Sequence, residues 1–500
     1  MMKDVNDPES LNHPDDSAHN AYNATSLKNV NVNADDVDED GHHQRTGTWI
    51  TAASHVITAV IGSGVLSLAW ALSTMGWIAG PLILFSFAFV TWYTSLLLAD
   101  AYRYPKDVGK RNYTYPGAVA AILGGRYVAF CAIIQYVNLV GTGIGYTVTA
   151  GVSMVAVRRS NCFHSHEAQL AAQQASGSDE ICQVSNTPFI AIFGAFQLLL
   201  SQIPDFDRLW FLSVVAAVMS FSYSSIGLGL AVGKATEHHA DHGSLSGTPE
   251  TPQAYKVWNV LNGLGDMAFA YSFSFILLEI TDTLKAKPSE SSQMKKATTA
   301  AIFVTTSFYM GVALIGYAAF GDSAPGNLLT GFGFYNPYWL IDIANVFIMV
   351  HLVGAYQVYT QPWFAFVEGQ MYKRVRKNFF THKEIVLRIP GLGALRLTLF
   401  RLVWRTAYVV FTSVIAMLLP FFNDIVGLLG SLGFWPLTVF LPIQMHIVQA
   451  QVRRFSPKWI GLQCLSSVCL LISLGGAVGS LAQIVIDCKD YTPFHTSYSK

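Results

Sequence analysis

Long apolar runs recur between residues 48 and 486, and they constrain the fold more than any other feature of the chain. A helix needs about 20 mostly apolar residues to cross the hydrocarbon core of a bilayer. Eleven stretches meet this requirement, at 48–73, 77–101, 127–157, 188–203, 209–232, 256–283, 298–320, 337–367, 403–420, 424–447 and 459–486. Only 12% of the residues are charged, whereas a soluble domain usually carries about 25%. The sequence therefore predicts an all-α membrane protein with about eleven transmembrane helices and the lipid bilayer as its solvent.

The composition divides the chain into three parts. Residues 1–45 are polar, rich in Asn, Asp and His, and contain no apolar run, so they are predicted to form a disordered tail. Residues 46–490 hold every candidate span and form the predicted transmembrane domain, and 491–500 form a short C-terminal tail. The formal net charge is zero, which gives no indication of a nucleic-acid partner.

The distribution of basic residues predicts the orientation. About 22 of the 31 Lys and Arg residues fall beside the helix ends of one side, most densely between 373 and 405, against about 6 on the other side. Loops rich in Lys and Arg stay in the cytoplasm. The N-terminus is therefore predicted to be cytoplasmic, and an odd number of spans places the C-terminus outside.

Two cysteines and two histidines in the predicted outer loops are candidates for a disulfide and for a metal site. Cys162 and Cys182 flank one outer loop, where the oxidising environment favours a disulfide, although two free thiols are the alternative. His238 and His242 have the spacing of metal ligands on a helix, but the surrounding Gly, Ser, Thr and Pro favour a solvated loop, so no metal site is predicted. The chain also lacks hydrolase, zinc-protease and P-loop motifs, so it is not expected to be an enzyme.

Glycines and polar residues interrupt two of the predicted spans near the middle of the membrane. The first span contains Gly62, Ser63 and Gly64, and the sixth has its polar centre at Tyr271 and Ser272. Unwound backbone at this depth must find partners or line a cavity. Breaks in the first and sixth spans are typical of transporters with a five-plus-five inverted repeat. The alternative is that the glycines only allow close helix packing.

Three ionisable residues lie inside predicted spans. His55 and Asp266 flank the proposed breaks, and His351 lies in the eighth span. An ionisable group in the membrane is costly, and often serves ion or proton transfer. The alternative is that each histidine is a satisfied hydrogen-bonding residue, and that Asp266 caps broken backbone.

Five runs of the chain form a recognisable pattern: Gly47 to Ala71, Tyr136 to Gly141, Gly265 to Ser274, Asp282 to Leu284 and Lys295 to Thr298. These runs closely resemble segments of plant amino acid permeases, in the amino acid/auxin permease superfamily. They occur in the family's order, and the resemblance covers about residues 45 to 490. The N-terminal tail and the outer loop 233–255 do not take part in it.

This resemblance implies an eleven-helix, LeuT-like fold with broken helices 1 and 6. It also implies proton-coupled import of amino acids across the plasma membrane, with no cofactor besides the co-transported proton. The expected substrate-binding residues are Gly62, Ser63, Gly64, Tyr136, Asn138, Tyr271 and Ser272, and the expected proton-coupling residues are His55, Asp266 and His351. Alternative functions are transport of auxin or another small organic solute, or sensing of amino acids with little transport.

Overall fold

A computed structural model describes most of the predicted membrane domain. The described residues are 45–106, 109–165, 182, 184–203, 210–237, 243–248, 253–333, 337–375, 378–389 and 393–491. Of the two predicted tails, 1–45 and 491–500, all residues except Arg45 and Tyr491 lie outside the described part. His238 and His242 also lie outside it.

Helices make up nearly all of the described chain. They are α1 Trp49–Val60, α2 Leu68–Asp100, α3 Tyr115–Leu123, α4 Gly125–Ser165, α5 Thr187–Ser201, α6 Trp210–Ala235, α7 Gln253–Ala270, α8 Leu277–Thr281, α9 Glu290–Phe320, α10 Tyr338–Arg374, α11 Phe379–His382, α12 Leu399–Leu418, α13 Phe422–Gly433, α14 Leu441–Gln449 and α15 Pro457–Asp490. Two antiparallel hairpins join helices: β1 Arg103–Tyr104 pairs with β2 Lys110–Arg111, and β3 Glu384–Ile389 pairs with β4 Gly393–Thr398.

The helices assemble into eleven spans, numbered here in chain order. Span 1 consists of α1 and the beginning of α2, and span 2 is the remainder of α2. Spans 3, 4 and 5 are α4, α5 and α6, span 6 is α7 with α8, and spans 7 and 8 are α9 and α10. Span 9 is α12, span 10 runs from α13 through a π-helical segment, Phe434–Phe440, to α14, and span 11 is α15. The predicted all-α membrane fold is confirmed.

Gly76 separates span 1 from span 2 within the continuous helical segment α2. Its backbone has φ 78° and ψ 179°, which only glycine adopts readily. A Cβ at this position would lie 2.4 Å from the nitrogen of Gly247 and from the carbonyl oxygen of Leu245. The chain therefore turns at Gly76, and the loop around residue 247 packs directly on the turn.

The contacts between spans follow a two-fold pattern. Span 3 packs against span 8, span 4 against span 9, and the broken part of span 1 against span 6. Three further contacts each have a counterpart in the other half. The contact of span 5 with span 8 corresponds to that of span 10 with span 3, the contact of span 4 with span 8 to that of span 9 with span 3, and the contact of span 5 with span 7 to that of span 10 with span 2. Exchanging spans 1–5 with spans 6–10 converts each pair into its counterpart, as an inverted five-plus-five repeat requires. The expected LeuT-like arrangement is confirmed, with span 11 outside the repeat.

The outer surface of the bundle is apolar. Leu199, Phe303 and Leu471 lie on three different spans and are 70%, 73% and 69% exposed. Such a surface would associate in water but is stable against lipid chains. By length and hydropathy, nine described helical segments can cross a membrane, and the shorter apolar helices α1 and α5 complete the set.

Several helices are longer than hydropathy predicts. The helix α9 begins at Glu290 rather than at 298, α4 continues to Ser165, and α10 continues to Arg374. Hydropathy detects only the apolar part of a helix, and these helices continue into polar sequence beyond the hydrocarbon core. Charges at such helix ends therefore become part of the ordered structure.

Glycines allow α7 and α13 to approach each other with their backbones in contact. A Cβ on Gly430 would lie 2.1 Å from the carbonyl oxygen of Gly265, and one on Gly265 would lie 2.2 Å from that of Gly427. Small residues at a membrane helix interface permit this close packing. It fixes the position of α7, which leads into the break in span 6.

We expect Gly430→Val to lower the apparent melting temperature of the detergent-purified protein, because the added side chain forces α7 and α13 apart. Overpacking of this kind costs about 1–3 kcal/mol or more. The matched control is Gly311→Val, since a Cβ on Gly311 meets nothing within 4 Å. Equal melting temperatures for the two variants would contradict the proposed role of this contact.

Candidate functional site

The first span is broken at the Gly-Ser-Gly sequence. The helix α1 ends at Val60, Ile61 and Gly62 leave helical geometry with ψ 87° and −151°, and a 3-10 turn, Ser63–Ser67, resumes the span. The first N–H groups of a helical segment have no intrahelical partner. Ser63 and Gly64 therefore present backbone donors at the positive end of a helix dipole.

The sixth span is broken at its polar centre, as the sequence predicts. The helix α7 ends at Ala270, and the helix resumes as a 3-10 turn, Ser274–Ile276, followed by α8. Between them, the N–H of Ser272 donates to the carbonyl of Phe269 over 3.0 Å, and its hydroxyl donates to the carbonyl of Ala268 over 2.8 Å. Both predicted breaks are thus present in the structure.

The two breaks lie directly against each other. A Cβ on Gly64 would lie 3.2 Å from the Cα of Ala270 and 3.2 Å from the ring of Phe269. Tyr309, from α9, reaches both breaks, and its hydroxyl is within hydrogen-bonding distance of the carbonyls of Val60 and Ala270. The unwound segments and Tyr309 form one unit, buried within the bundle.

A small cavity lies between the breaks and spans 3 and 8. The lining residues are Ala59, Val60, Gly62, Ser63, Gly64, Asn138, Thr142, Tyr146, Phe269, Ala270, Ser272, Phe275 and Tyr359. None of these lining residues carries a formal charge, so the wall offers backbone groups, hydroxyls, one amide and aromatic rings.

Five of the seven expected substrate-binding residues line this cavity: Gly62, Ser63, Gly64, Asn138 and Ser272. The amide of Asn138 donates to the carbonyl of Leu429 in α13 over 3.2 Å, which fixes its orientation. The structure therefore brings the residues from spans 1, 3 and 6 together in one place.

Tyr136 and Tyr271 do not line the cavity, contrary to expectation. The ring of Tyr136 packs between spans 3 and 8, with its centroid 4.3 Å from that of Phe366. The ring of Tyr271 is fully buried beside Tyr309, and its hydroxyl donates to Thr306 over 3.2 Å. Helical periodicity separates Tyr136 from Asn138, because residues two apart point to different sides of a helix.

His351 lies beside the break in span 1. Its Nε2 is the nearest atom to the position of a Cβ on Gly62, at 3.8 Å. Its Nδ1 lies 2.8 Å from the carbonyl oxygen of Ala216 in α6. A carbonyl only accepts, so Nδ1 carries the hydrogen and the Nε2 lone pair of the neutral ring is directed elsewhere. Within the described residues, Nε2 has no hydrogen-bond partner.

Asp266 and His55 occupy different environments from His351. Asp266 is fully buried in α7, and neither of its carboxyl oxygens accepts a hydrogen bond from a described residue. One turn earlier, the amide of Asn262 donates to Asp424 of α13 over 2.8 Å. His55 is exposed on α1 and does not line the cavity. The three expected proton-coupling residues are therefore not brought together.

Four aromatic residues that line the cavity were not predicted as site residues: Tyr146, Phe269, Phe275 and Tyr359. Tyr146, Tyr359 and Phe275 come from spans 3, 8 and 6, and the centroid of Tyr359 lies 5.4 Å from that of Tyr146 and 5.9 Å from that of Phe275. Aromatic residues are common in membrane helices, on lipid faces and in the interior. The chain holds 65 aromatic residues, 32 Phe, 22 Tyr and 11 Trp, and nothing in the local sequence distinguishes the four of the cavity from the other 61.

An ionic network closes the end of the bundle at which span 1 begins. Arg45 and Arg103 both pair with Glu290 at the start of α9, over 2.9 and 2.8 Å. Arg45 also donates to the hydroxyl of Tyr102 over 3.1 Å, and Tyr102 donates to Asp282 over 2.6 Å. Burial and the charge of Asp282 raise the pKa of Tyr102, so its hydroxyl remains a donor.

Backbone hydrogen bonds strengthen this closure. The N–H of Gly47 donates to the carbonyl of Thr283, and the N–H of Lys285 donates to the carbonyl of Gly47, both over 3.0 Å. At the opposite end, the N–H of Thr248 donates to the carbonyl of Ser73 over 2.9 Å, at the turn between spans 1 and 2. The chain therefore crosses both ends of the bundle above and below the cavity.

Cys162 and Cys182 are joined in the structure, with their sulfur atoms 2.09 Å apart. Cys162 lies in the last turns of α4, at the end of the bundle opposite the start of span 1. Among the described residues, no group of three or more His, Cys, Asp or Glu side chains is arranged to hold a metal ion.

A central cavity between two broken helices of an inverted repeat is the arrangement of secondary transporters. The fold and the cavity define the protein as a membrane transporter, and comparison with known sequences identifies the family. Residues 45–486 match the family described as "Transmembrane amino acid transporter protein". The chain belongs to this transmembrane amino acid transporter family, and the predicted relation to plant amino acid permeases is confirmed.

The similarity to individual relatives covers nearly the whole chain. Amino acid permease 3 of Arabidopsis thaliana is 52% identical, covering 92% of this chain and 96% of the relative. Amino acid permease 1 of the same plant is 49% identical, covering 99% of this chain and 100% of the relative. Among solved structures, MhsT in complex with L-phenylalanine is 11% identical with a TM-score of 0.47, covering 88% of this chain and 100% of that one.

We expect peptide mapping of the full-length protein under non-reducing conditions to find Cys162 linked to Cys182. Cys464 and Cys488 are exposed and unpaired in the structure, so they provide the control and should react with an alkylating reagent before reduction. Alkylation of Cys162 and Cys182 without reduction would contradict the pairing.

Proposed function

We propose that this protein is a proton-coupled symporter that imports amino acids across the plasma membrane by alternating access. The observation that carries the proposal is the uncharged cavity at the two touching breaks, with His351 beside it. Relatives named amino acid permeases, about 50% identical over most of the chain, support amino acids as the substrate class. Uptake of a mixed panel of amino acids in oocytes, with auxin as a competitor, tests this assignment.

The two charged groups of an amino acid match the two kinds of backbone end in the cavity. The carboxylate is held by the N–H groups of Ser63 and Gly64, at the positive end of a helix dipole. The ammonium is held near Val60 and Ala270, the last residues of α1 and α7, where carbonyl groups form the negative end of each dipole. Asn138 and Ser272 complete the polar wall.

His351 is the leading candidate for the proton-coupling residue. It is buried between spans 1, 5 and 8, and a proton added to Nε2 would place a positive charge beside Gly62. Such a charge strengthens the attraction for a substrate carboxylate at Ser63 and Gly64, so proton and substrate favour each other's binding. Asp266 is the second candidate, because a buried carboxyl without an ionic partner is more stable when protonated. His55 is the third, since its exposed position gives it no contact with the cavity.

The bias of Lys and Arg toward one side supports a cytoplasmic position for the network of Arg45, Arg103 and Glu290 and an outer position for the Cys162–Cys182 loop. Release of substrate to the cytoplasm then requires separation of residues 45–47 from the connection between spans 6 and 7. Entry from outside requires the segment around Thr248 to leave the turn at Ser73. Alternating access consists of opening these two closures in turn around a fixed site.

Gly64→Ala should reduce the kcat/KM of amino acid uptake by about tenfold or more, because its Cβ would press on Ala270 and Phe269 and displace the carboxylate site. A tenfold loss corresponds to about 1.4 kcal/mol. Gly229→Ala is the matched control, since a Cβ there meets nothing within 4 Å. Surface labelling must show both variants at the plasma membrane, and unchanged kinetics for Gly64→Ala would exclude this site.

We expect amino-acid-evoked currents to rise as external pH falls, and this dependence to be lost in His351→Ala. The same currents measured in His55→Ala and Asp266→Asn separate the three candidates, and His55→Ala should keep the wild-type dependence. If all three variants keep it, the proton site lies elsewhere. If wild-type current ignores pH and follows external Na⁺, proton coupling itself is refuted.

A further inference from the structure

The turn between α14 and α15 carries three basic side chains that have no acidic partner among the described residues. Arg453, Arg454 and Lys458 are exposed, and their side chains form no ion pair or hydrogen bond with any described residue. The sequence from 425 to 486 contains no Asp or Glu, so neither adjoining helix supplies a counter-charge. The preference of basic residues for the cytoplasmic side accounts for their presence at this end of the bundle, but not for what surrounds them.

Phe455 lies between these charges in a fixed and unusual conformation. Its side chain is 77% exposed, more than any other large hydrophobic side chain of the described residues. Its backbone has φ 62°, in the left-handed region that bulky residues rarely adopt. The next residue anchors the turn, because the N–H of Ser456 donates to the carbonyl of Arg453 and its hydroxyl accepts from the N–H of Trp459. The fold therefore holds an aromatic ring outward.

The exposed ring continues an apolar surface of span 11. The centroids of Phe455 and Trp459 lie 5.3 Å apart, and Ile460 is exposed beside them in the first turn of α15. Val468 and Leu471 are exposed further along the same helix. Because Ile460, Val468 and Leu471 are separated by two turns and by one turn, they share one face of α15. Phe455 therefore lies where a surface suited to lipid chains meets the three charges.

The basic surface extends from the turn to the hairpin after span 2. At the end of α14, the amide of Gln449 donates to the carbonyls of Asp100 and Arg103, over 2.9 and 3.0 Å. Lys106 and Lys295 both pair with the carboxylate of Asp100, over 3.1 and 2.7 Å. Two cations thus share one carboxylate here, and the positive charge beside the turn is not fully balanced.

We propose that residues 451–458 bind the headgroup of an anionic phospholipid. The phosphate lies among Arg453, Arg454 and Lys458, at the positive end of the dipole of α15. Phe455 inserts at the level of the headgroups, and the acyl chains follow the apolar face of α15. A soluble anion would use the charges but would leave Phe455 in water.

The cytoplasmic leaflet is the source of anionic lipid in a plasma membrane. The inference therefore rests on the cytoplasmic position proposed above for this end of the bundle. It does not depend on which solute is transported, so lipid binding and amino acid uptake can be tested separately.

The experiment measures lipid binding to the full-length, detergent-purified protein by native mass spectrometry. Dioleoylphosphatidylglycerol is compared with dioleoylphosphatidylcholine, which has the same acyl chains and no net charge. We expect the dissociation constant of the first bound lipid to be at least about tenfold lower for the anionic lipid. In the triple variant Arg453→Gln, Arg454→Gln, Lys458→Gln, this preference should fall to about twofold or less.

A matched control removes three charges from the same end of the bundle but not from the turn. It is the triple variant Lys110→Gln, Arg126→Gln, Lys296→Gln, whose exposed residues lie in β2, α4 and α9. This variant should keep the wild-type preference. If both triple variants lose it equally, only the total charge of this end matters, and the inference is overturned.

Two further measurements separate a lipid site from a site for a soluble anion. Phe455→Ser keeps every charge and should still weaken binding of the anionic lipid, by about threefold or more. Inorganic phosphate at the same concentration should not displace the lipid, and displacement would overturn the inference. A wild-type protein that binds both lipids equally would also overturn it, whatever the variants do. Absence of amino acid uptake would instead refute the proposed function and leave the lipid measurement standing.

Discussion

The requirement that every buried backbone group find a partner governs this structure. In a bilayer only helices meet it without help, yet spans 1 and 6 are interrupted at their centres. The interruptions persist because other groups serve the released carbonyls and N–H groups: Tyr309 serves Val60 and Ala270, and the hydroxyl of Ser67 donates to the carbonyl of Gly64 over 3.1 Å. Gly62, Ser63 and Gly64 of the first break and Ser272 of the second line the cavity, so the proposed substrate site lies where the helices are interrupted.

The rest of the bundle holds these two segments in place with buried polar contacts. Ser480 of α15 donates to Asn262 over 2.6 Å, and Asn262 donates to Asp424, so spans 6, 10 and 11 are tied together on one side of the break. On the other side of the bundle, Arg405 of α12 pairs with Glu368 over 2.7 Å and donates to the carbonyl of Ser201 at the end of α5. Breaking such a buried pair by removing one partner is costly, about 3–5 kcal/mol. These contacts make a rigid frame around spans 1 and 6.

The closure at the end where span 1 begins is also shielded from water. The side chains of Arg45, Arg103 and Glu290 are 9%, 16% and 5% exposed, so their pairing differs from that of ions on an open surface, which contributes little stability. The pair of Arg405 with Glu368 joins two long helices, α12 and α10, whereas Arg45 precedes α1 and Arg103 lies in the short hairpin after α2. The frame therefore connects the bodies of helices, and the closure connects the segments that precede or follow them.

The sequence by itself determined the class of membrane fold, the number of spans and both breaks, because apolar length and mid-span glycines are local properties that the bilayer selects for directly. Gly62, Ser63, Gly64, Asn138 and Ser272 could also be predicted as cavity residues, because each lies at a break or in a run that resembles the family. Only the tertiary structure decided which side chains meet at the cavity. Tyr136 and Tyr271 pack between helices, whereas Tyr146, Tyr359 and Phe275 line the cavity. His351 lies beside Gly62, and His55 is exposed. The physical reason is that the rotation and depth of each helix are fixed by contacts with its neighbours, and those contacts join residues far apart in the chain.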